Sequence, residues 1–594
     1  MSEQPTLSLT RRALLRWVGF TGLSVTATSL LAACSGAAPP AQTTPPTAPP
    51  AAKPAPTTAP AAAPKAAPSA AAAPAAAPTA AAPAAVPKAA PSVVAAPTAT
   101  SDLVALATQV DVTGINDGKL PKLPLMTNKK FQGQEVVVGS LAGPPISSPF
   151  QKFGPQWEEA TGAKIKLVTF PFAQVFEKLR AGIISGSYAF DLINVSPAWA
   201  GDFMGGGYLE EVPEDVKAAY HGDDIYPTFS GYQSWAGKQY ALQYDGDAHQ
   251  FYYRRDLFGD ADIQKKYKDQ YGADLKPPDT WGDYLQTATF FNSFDWSGTG
   301  RVGYGMVEPM ARGGTLNYFL LDRGLSYSKV AGDNAVFFDP ETMKPRLDEP
   351  GFVKGLEDMV KQIDTGPPGV LGFGFPETRP VFISGQAAMD RDWGDIGTLV
   401  FDKKLSQISG KLGSSPTPGV DGQVYDRKAK AWKDVPKGTR APYLAFGGWQ
   451  VAVPKTAKNK EAAWDLAAFM TNPITHSVLC VMPDSGIQPA RKSTLQGMGE
   501  RYLVQAGSDP GDAKAWLNAL KQTLEDKNAV QELRIPGTAD YYNALDVEGA
   551  RAMSKELSPE EAMKSAAQSW EEITDRLGRD KQKVAYAASL AGTE

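Results

Sequence analysis

The sequence predicts an α/β fold in which parallel strands are covered by helices. Two observations carry that prediction. Between residues 134 and 195, strand-like and helix-like patterns alternate. Residues 134–140 (QEVVVGS), 163–168 and 190–195 (FDLINV) are short runs rich in apolar and β-branched residues, and such runs read as buried strands. Between them Phe150, Phe153 and Trp157, and then Phe172, Val175, Phe176, Leu179 and Ile183, recur at helical spacing. A strand–helix–strand–helix–strand order calls for crossovers, and hence for a parallel sheet with helices on its faces. The second observation is residues 235–258 (WAGKQYALQYDGDAHQFYYRRDLF). There two aromatic, β-prone runs flank a break that holds Asp245, Gly246 and Asp247. Two strands meet at an acidic turn, where carboxylates can accept hydrogen bonds from a ligand or simply form the turn.

In chain order, Thr10 to Arg16 is basic and an apolar stretch from Trp17 to Ala33 follows. Residues 1–33 read as a signal peptide and not as part of the fold. Arg11-Arg12 resembles a twin-arginine export signal. Leu31-Ala32-Ala33-Cys34 resembles a bacterial lipobox, which implies lipidation of Cys34 and an anchored chain. The rival reading, an uncleaved membrane helix, has a length marginal for spanning. Residues 36–100 are almost all Ala, Pro, Thr and Ser. Proline blocks helix there, so the segment reads as a disordered or polyproline-like tether. Its reach is on the order of 150–200 Å when extended at roughly 3 Å per residue. Residues 34–129 are assigned to this tether and to a transition with no predicted fold.

In the folded module, Gly143-Pro144-Pro145 predicts a loop over residues 141–149. Gly162 ends the first helix and Ser185-Gly186 the second. Ligands of parallel sheets sit at the carboxyl ends of strands. That rule selects the loop after Ser140 and the one from Ser196 to Trp199 after the third strand. Thr280 is placed to cap a helix through Tyr284, Leu285 and Ala288, and another helix is expected from Gly314 to Leu325. Residues 381–395 (VFISGQAAMDRDWGD) set Asp390, Asp392 and Asp395 around Trp393. A ring face beside carboxylates suits a sugar, and equally a polyamine. Core packing and a solvated acidic turn are the plainer readings. Residues 460–470 form an amphipathic helix. Ser558-Pro559-Glu560-Glu561 is a capping box that opens a last helix through Met563, Ala567, Trp570 and Ile573. The tail after Gly578 is unassigned.

Several of these segments, in this order, resemble the bacterial extracellular solute-binding proteins of family 1. These are substrate-binding lipoproteins of carbohydrate ABC transporters, maltose-binding-protein-like. The resemblance rests on residues 235–258, on "KLRAGIISGSYAFDLINVSPAWAGDFMGGGYLEEV", and on Pro278-Asp279-Thr280-Trp281. It rests further on Phe-x-x-Gly-x-Ala-Ala-Met before Trp393-Gly394, on Gly447-Gly448-Trp449, on residues 484–491 (DSGIQPAR), and on residues 533–542 (LRIPGTADYY). The fold it implies is two-lobed. Each lobe is a mainly parallel sheet flanked by helices, and three interlobe crossings join them. The implied division is 130–243 plus 415–485 for one lobe and 244–414 plus 486–594 for the other. The three crossings implied are at residues 235–258, 412–419 and 484–491. The resemblance also implies ligand contacts from Trp199, Asp202, Asp245, Asp247, Asp392, Trp393, Trp449, Arg534 and Tyr542.

The implied function is an extracytoplasmic receptor, lipid-anchored on the outer face of the cell membrane. It binds a sugar or oligosaccharide by hinge closure and delivers it to permease subunits. A receptor for another solute, such as a polyamine, keeps the same fold. A secreted glycoside hydrolase using paired aspartates is the rival outside that class. No nucleophile elbow, His-Glu-x-x-His or phosphate loop supports an enzyme. The chain has 594 residues and a net charge of −5, or −7 once the segment before Cys34 is removed with its three arginines and one glutamate. Nothing is basic enough for nucleic acid. Three separated histidines (His221, His249 and His476) give no zinc spacing and are expected at the surface or in turns. Cys480 reads as a buried hydrophobe, and no disulfide is expected. No cofactor is expected, and the chain is expected to be a monomer.

Overall fold

Each strand run of the sequence becomes a strand in the computed structural model. The model describes Leu103 and residues 107–590, apart from 126–127, 299, 301–302, 314 and 484. The signal peptide, the lipobox cysteine Cys34 and the Ala/Pro-rich tether lie outside the described residues. Strand β1 (Glu135–Leu141) is buried at all but its first residue, as a β-branched central run should be. Helix α1 (Pro144–Thr161), β2 (Lys164–Phe170), α2 (Phe172–Ile184) and β3 (Leu192–Val195) follow. The loop expected over 141–149 is shorter than that. α1 begins at Pro144, because proline is well placed in a helix's first turn, where no N–H partner is needed. Gly162 ends α1 in the left-handed conformation, and its N–H donates to Glu158 O.

A short hairpin, β4 (Ser234–Trp235) and β5 (Lys238–Gln239), precedes β6 (Ala241–Gln243) and β7 (His249–Arg254). Then come α3 (Trp281–Phe291), capped by the Thr280 hydroxyl, and β8 (Tyr304–Val307). Next are α4 (Leu316–Ser328), α5 (Phe375–Ile383) and β9 (Ala387–Trp393). Strand β10 (Leu412–Pro416), a hairpin of β11 (Gln423–Asp426) and β12 (Ala431–Asp434), and β13 (Gln450–Ala452) follow. Later helices include α6 (Lys460–Thr471), α7 (Pro510–Leu524), α8 (Thr538–Met553) and α9 (Pro559–Leu577), which carries the expected capping box. The unassigned tail forms α10 (Arg579–Leu590). Its Tyr586 is buried, and the hydroxyl accepts from Phe337 N and Phe338 N.

The strands make two main sheets, β2-β1-β3-β13-β6 and β10-β7-β9-β8. The expected parallel pairing holds for β1 with β2, β1 with β3, and β8 with β9. The strands at the passages between sheets pair antiparallel. β13 lies antiparallel between β3 and β6, and β7 antiparallel between β10 and β9. A strand that enters straight from another sheet has no crossover helix behind it, and a parallel partner needs one.

The chain passes between the sheets three times. The first passage is residues 244–248, inside the stretch where the resemblance implies the first crossing. The second differs from the expectation. Residues 412–416, read as a crossing, are β10, and they pair along all of β7 from Leu412↔Arg254 to Pro416↔Gln250. The passage to β13 runs from residue 417 to 449, through the β11–β12 hairpin. The third lies at residues 485–491. Hydrogen bonds stitch the passages together. Asp245 N donates to Trp449 O, and Gly246 N donates to Gln488 O at 3.1 Å. The transition before residue 130, given no predicted fold, is packed down. Val110, Val112, Ile115 and Leu123 are buried, and Leu123 N donates to Gln156 Oε1 of α1.

Candidate functional site

The three passages converge on a small cleft. A cavity of about 60 Å³ is lined by Asp245 and Asp247 of the first passage, Phe446 and Trp449 of the second and Gly486 of the third. The first sheet's side supplies Leu141, Ile146 and Phe172. The second sheet's side supplies Phe375, Arg379, Trp393 and Asp395. Phe172 and Phe375 face each other edge-on at 6.2 Å, one ring from each side.

The acids sit where β6 ends and the backbone turns. Asp245 is 1% exposed, and its Oδ1 accepts from Gln488 N at 2.7 Å. The Gln488 side-chain amide donates to Asp247 Oδ1, while its Oε1 accepts from Gly394 N at 2.8 Å. Gln488 thus ties the first passage to the Trp393 loop. Burial pushes Asp245 up to about 7. Burial, and next to it the charge of Asp245, pushes Asp247 well above the usual carboxylate range. Arg379 on α5 bonds Asp395 at 2.7 Å and Asp392 at 3.0 Å, and its guanidinium lies 4.9 Å from the Phe375 ring centre. Asp395 is pushed up to about 6, again chiefly by burial.

Trp393 ends β9, and its Nε1 donates to Ala445 O at 3.2 Å. Phe319 of α4 meets it edge-on at 5.2 Å, and His249 at 4.9 Å. His249 itself stacks on Phe319 at 4.3 Å, with Nδ1 3.3 Å from Asp322. It is not the surface residue expected. It points inward from β7 at 1% exposure, and burial lowers its affinity for a proton. His476 is likewise buried, whereas His221 does occupy a left-handed turn position. Arg391, two residues before Trp393, bonds Asp322 at 2.5 Å and Glu308 at 2.8 Å with no exposure on any of the three side chains.

Of the residues singled out in the sequence, Asp245, Asp247, Trp393 and Trp449 come together in the cleft. Trp199 and Tyr542 line a neighbouring cavity of about 360 Å³, which shares Phe172 and Phe446 with the cleft. Trp199 meets Trp449 edge-on at 5.7 Å. Asp202, Asp392 and Arg534 line neither cavity. Asp202 accepts from Gly537 N. Asp392 is spent on Arg379 and on Trp393 N. Arg534 donates to the carbonyls of Gly231 and Ser589 and is 2% exposed. The sequence reading missed Phe172, Phe375, Arg379, Phe446 and Gln488 as cleft or bridging groups. Asp395 was noted beside Trp393 but not chosen. Among the described residues no three His, Cys, Asp or Glu are placed to hold a metal ion, and no helix is long and apolar enough to cross a membrane.

A family model described as bacterial extracellular solute-binding protein matches residues 143–475. A mannitol-binding protein of Pseudomonas aeruginosa is 24% identical over 476 residues, covering 77% of this chain and 97% of its own. A probable amino-acid ABC transporter periplasmic-binding protein of Sinorhizobium fredii is 24% identical over 378 residues, 62% of this chain and 75% of its own. In structure, an ABC transporter solute-binding protein of Agrobacterium radiobacter, solved with ribitol, superposes with a TM-score of 0.60. It is 21% identical and covers 75% of this chain and all of its own.

Proposed function

Because the chain belongs to the bacterial extracellular solute-binding protein family, we propose that it is the receptor of an ABC importer for a small polyhydroxylated solute, a polyol or monosaccharide. The solute occupies the cleft, the two lobes close on it, and the closed form delivers it to the permease. The lobes divide at the passages, one carrying the β2-β1-β3-β13-β6 sheet and the other the β10-β7-β9-β8 sheet, so the second boundary falls after β10 and not at residue 415. Lipidated Cys34 and the Ala/Pro-rich tether hold the receptor to the outer face of the membrane, as a monomer.

One observation carries the reading. Side chains from both sheets' sides and from all three passages face a single volume, so a ligand there contacts everything that hinge closure moves. The cleft's volume of about 60 Å³ is about two waters' share of the liquid, so a solute enters by parting its walls, and the adjoining cavity of about 360 Å³ gives it room. The small-solute class comes from the relatives. The Pseudomonas and Agrobacterium relatives are named for mannitol and ribitol. Asp245, Asp247 and Asp395 accept solute hydroxyls, Arg379 donates to them, and Trp393 and Trp449 stack on the carbon faces.

The test is a thermal-shift screen of the purified protein against alditols, monosaccharides and oligosaccharides. A ligand at 100 times its dissociation constant adds about 2.7 kcal/mol to the folded state. Stabilisation by an alditol or monosaccharide, lost in Asp247→Ala, is the expected result. Stabilisation by long oligosaccharides alone would reject the small-solute reading.

A further inference from the structure

We infer that the solute this cleft takes up carries a protonated amine beside its hydroxyl groups. The inference rests on the receptor reading and narrows it. Its first ground is charge. The cleft's one cation, Arg379, is shared between Asp392 and Asp395. Asp245 and Asp247 make no ion pair among the described residues, and each meets Gln488 instead. Behind the cleft wall, Asp390 on β9 is fully buried and neither of its carboxylate oxygens has a hydrogen-bond partner among the described residues. Three cleft aspartates, Asp245, Asp247 and Asp395, therefore face one arginine, which already serves Asp395 and Asp392.

The second ground is the neighbouring cavity, which meets the cleft at Phe172 and Phe446. Its described walls include the acids Glu177, Asp540 and Asp546, the first two paired from outside the wall by Arg180 at 3.9 Å and Arg576 at 2.8 Å. A path walled by one sign of charge concentrates solutes of the other.

The third ground is the rings. Phe172, Phe375, Trp393, Phe446 and Trp449 close around a volume of about 60 Å³. Ring faces attract cations more strongly once water is excluded. The protein already lays one cation on this wall, the Arg379 guanidinium over Phe375.

A neutral polyol donates hydrogen bonds to carboxylates but brings no charge. Asp245 and Asp247 must then keep protons drawn from solvent. An ammonium group supplies three N–H donors and the missing charge together. It displaces those protons as it binds. No three acids are placed to hold a metal among the described residues, so the charge comes with the solute. The remaining hydroxyls keep the partners already named.

Titration calorimetry of the full-length mature protein tests this with two matched pairs, D-glucitol with 1-amino-1-deoxy-D-glucitol, and D-glucose with D-glucosamine. The amine of at least one pair should bind about tenfold tighter or more than its hydroxyl partner, the scale of one desolvated charge contact. At pH 6 its binding should release protons, read as a dependence of the heat on the buffer's ionisation enthalpy. Asp247→Asn should lower the amine-to-hydroxyl affinity ratio about fivefold or more. If the hydroxyl compound of each pair binds as tightly as its amine, the inference fails and the receptor reading stands. If none of the four binds to protein that unfolds cooperatively, both fail together.

Discussion

Trp393 is held from behind by a chain of buried contacts. Its ring rests on Phe319 and His249, His249 meets Asp322, and Asp322 and Glu308 are bound by Arg391. Removing one partner of a buried ion pair leaves the others uncompensated. Arg391→Met should therefore cost about 3–5 kcal/mol in urea unfolding. It should also weaken solute binding, because the ring's backing loosens. Asp390 behaves oppositely. Burial, and after it the charge of Asp392, holds its proton far above the usual range. Asp390→Asn should stabilise the fold more at pH 8 than at pH 5, as measured by paired urea titrations. At this scale the sequence shows residue type but not partner. Trp393, Trp449, Asp245 and Asp247 could be placed on the cleft because they stand at strand ends, and strand ends are local patterns. Asp392 and Arg534 line neither cavity because the groups that occupy them, Arg379 and the carbonyls of Gly231 and Ser589, are nearby only in three dimensions.

The passages are the elements on which the site depends, and they lie close together. A Cβ on Gly448, whose φ is +75°, would come within 1.8 Å of Asp245 O. One on Gly246 would meet Pro489 O at 2.6 Å and Ala490 Cα at 2.8 Å. Both neighbours are backbone and cannot step aside. Gly448→Ala should cost about 2–4 kcal/mol through strain and displaced backbone. Gly246→Ala should weaken solute binding at least about tenfold with little change in circular dichroism, because it parts the first passage from the third. The elements around β1, β2 and β3 were readable because their periodicities are local. β10 was not. Its LGSSPTPG surroundings carry turn residues, and its pairing partner β7 lies about 160 residues earlier, as in Ser414 with Gln250. The α10 tail was missed for a similar reason, since its anchor is the distant backbone at Phe337 and Phe338.

Across the whole molecule, buried acids set the response to pH. Asp245 and Glu532 are pushed up to about 7, and Asp395 and Asp512 to about 6, in each case chiefly by burial. In the unfolded chain these groups titrate near 4. The folded state therefore holds protons that the unfolded state has released. The stability they confer is complete below about pH 4 and is lost as pH rises through 6 to 7. Glu308 and Asp322 act in the other direction. Burial opposes them, yet Arg391 holds Glu308 below the usual range, and the His249 hydrogen bond, with Arg391 after it, holds Asp322 there, so their contribution fails only in acid. The unfolding free energy should fall by about 3 kcal/mol or more from pH 5 to pH 8, at about 1.36 kcal/mol per pKa unit; a flat profile would contradict this. The stitched passages also govern how force is carried. In the proposed closure, Asp245, Asp247 and Gln488 belong to the passages that join the lobes, and so would stay near the axis of rotation. Phe172 and Phe375 come from the two facing sides of the cleft and not from the passages, so in that closure they would sit out along the arms. A contact on an axle grips without turning it, and only a contact out along the arm exerts torque. On the proposed function, the acids would choose the solute, and the two phenylalanines would convert its presence into closure. Phe375→Ala should leave most of the affinity in place while abolishing the fall in radius of gyration that solute produces in small-angle scattering.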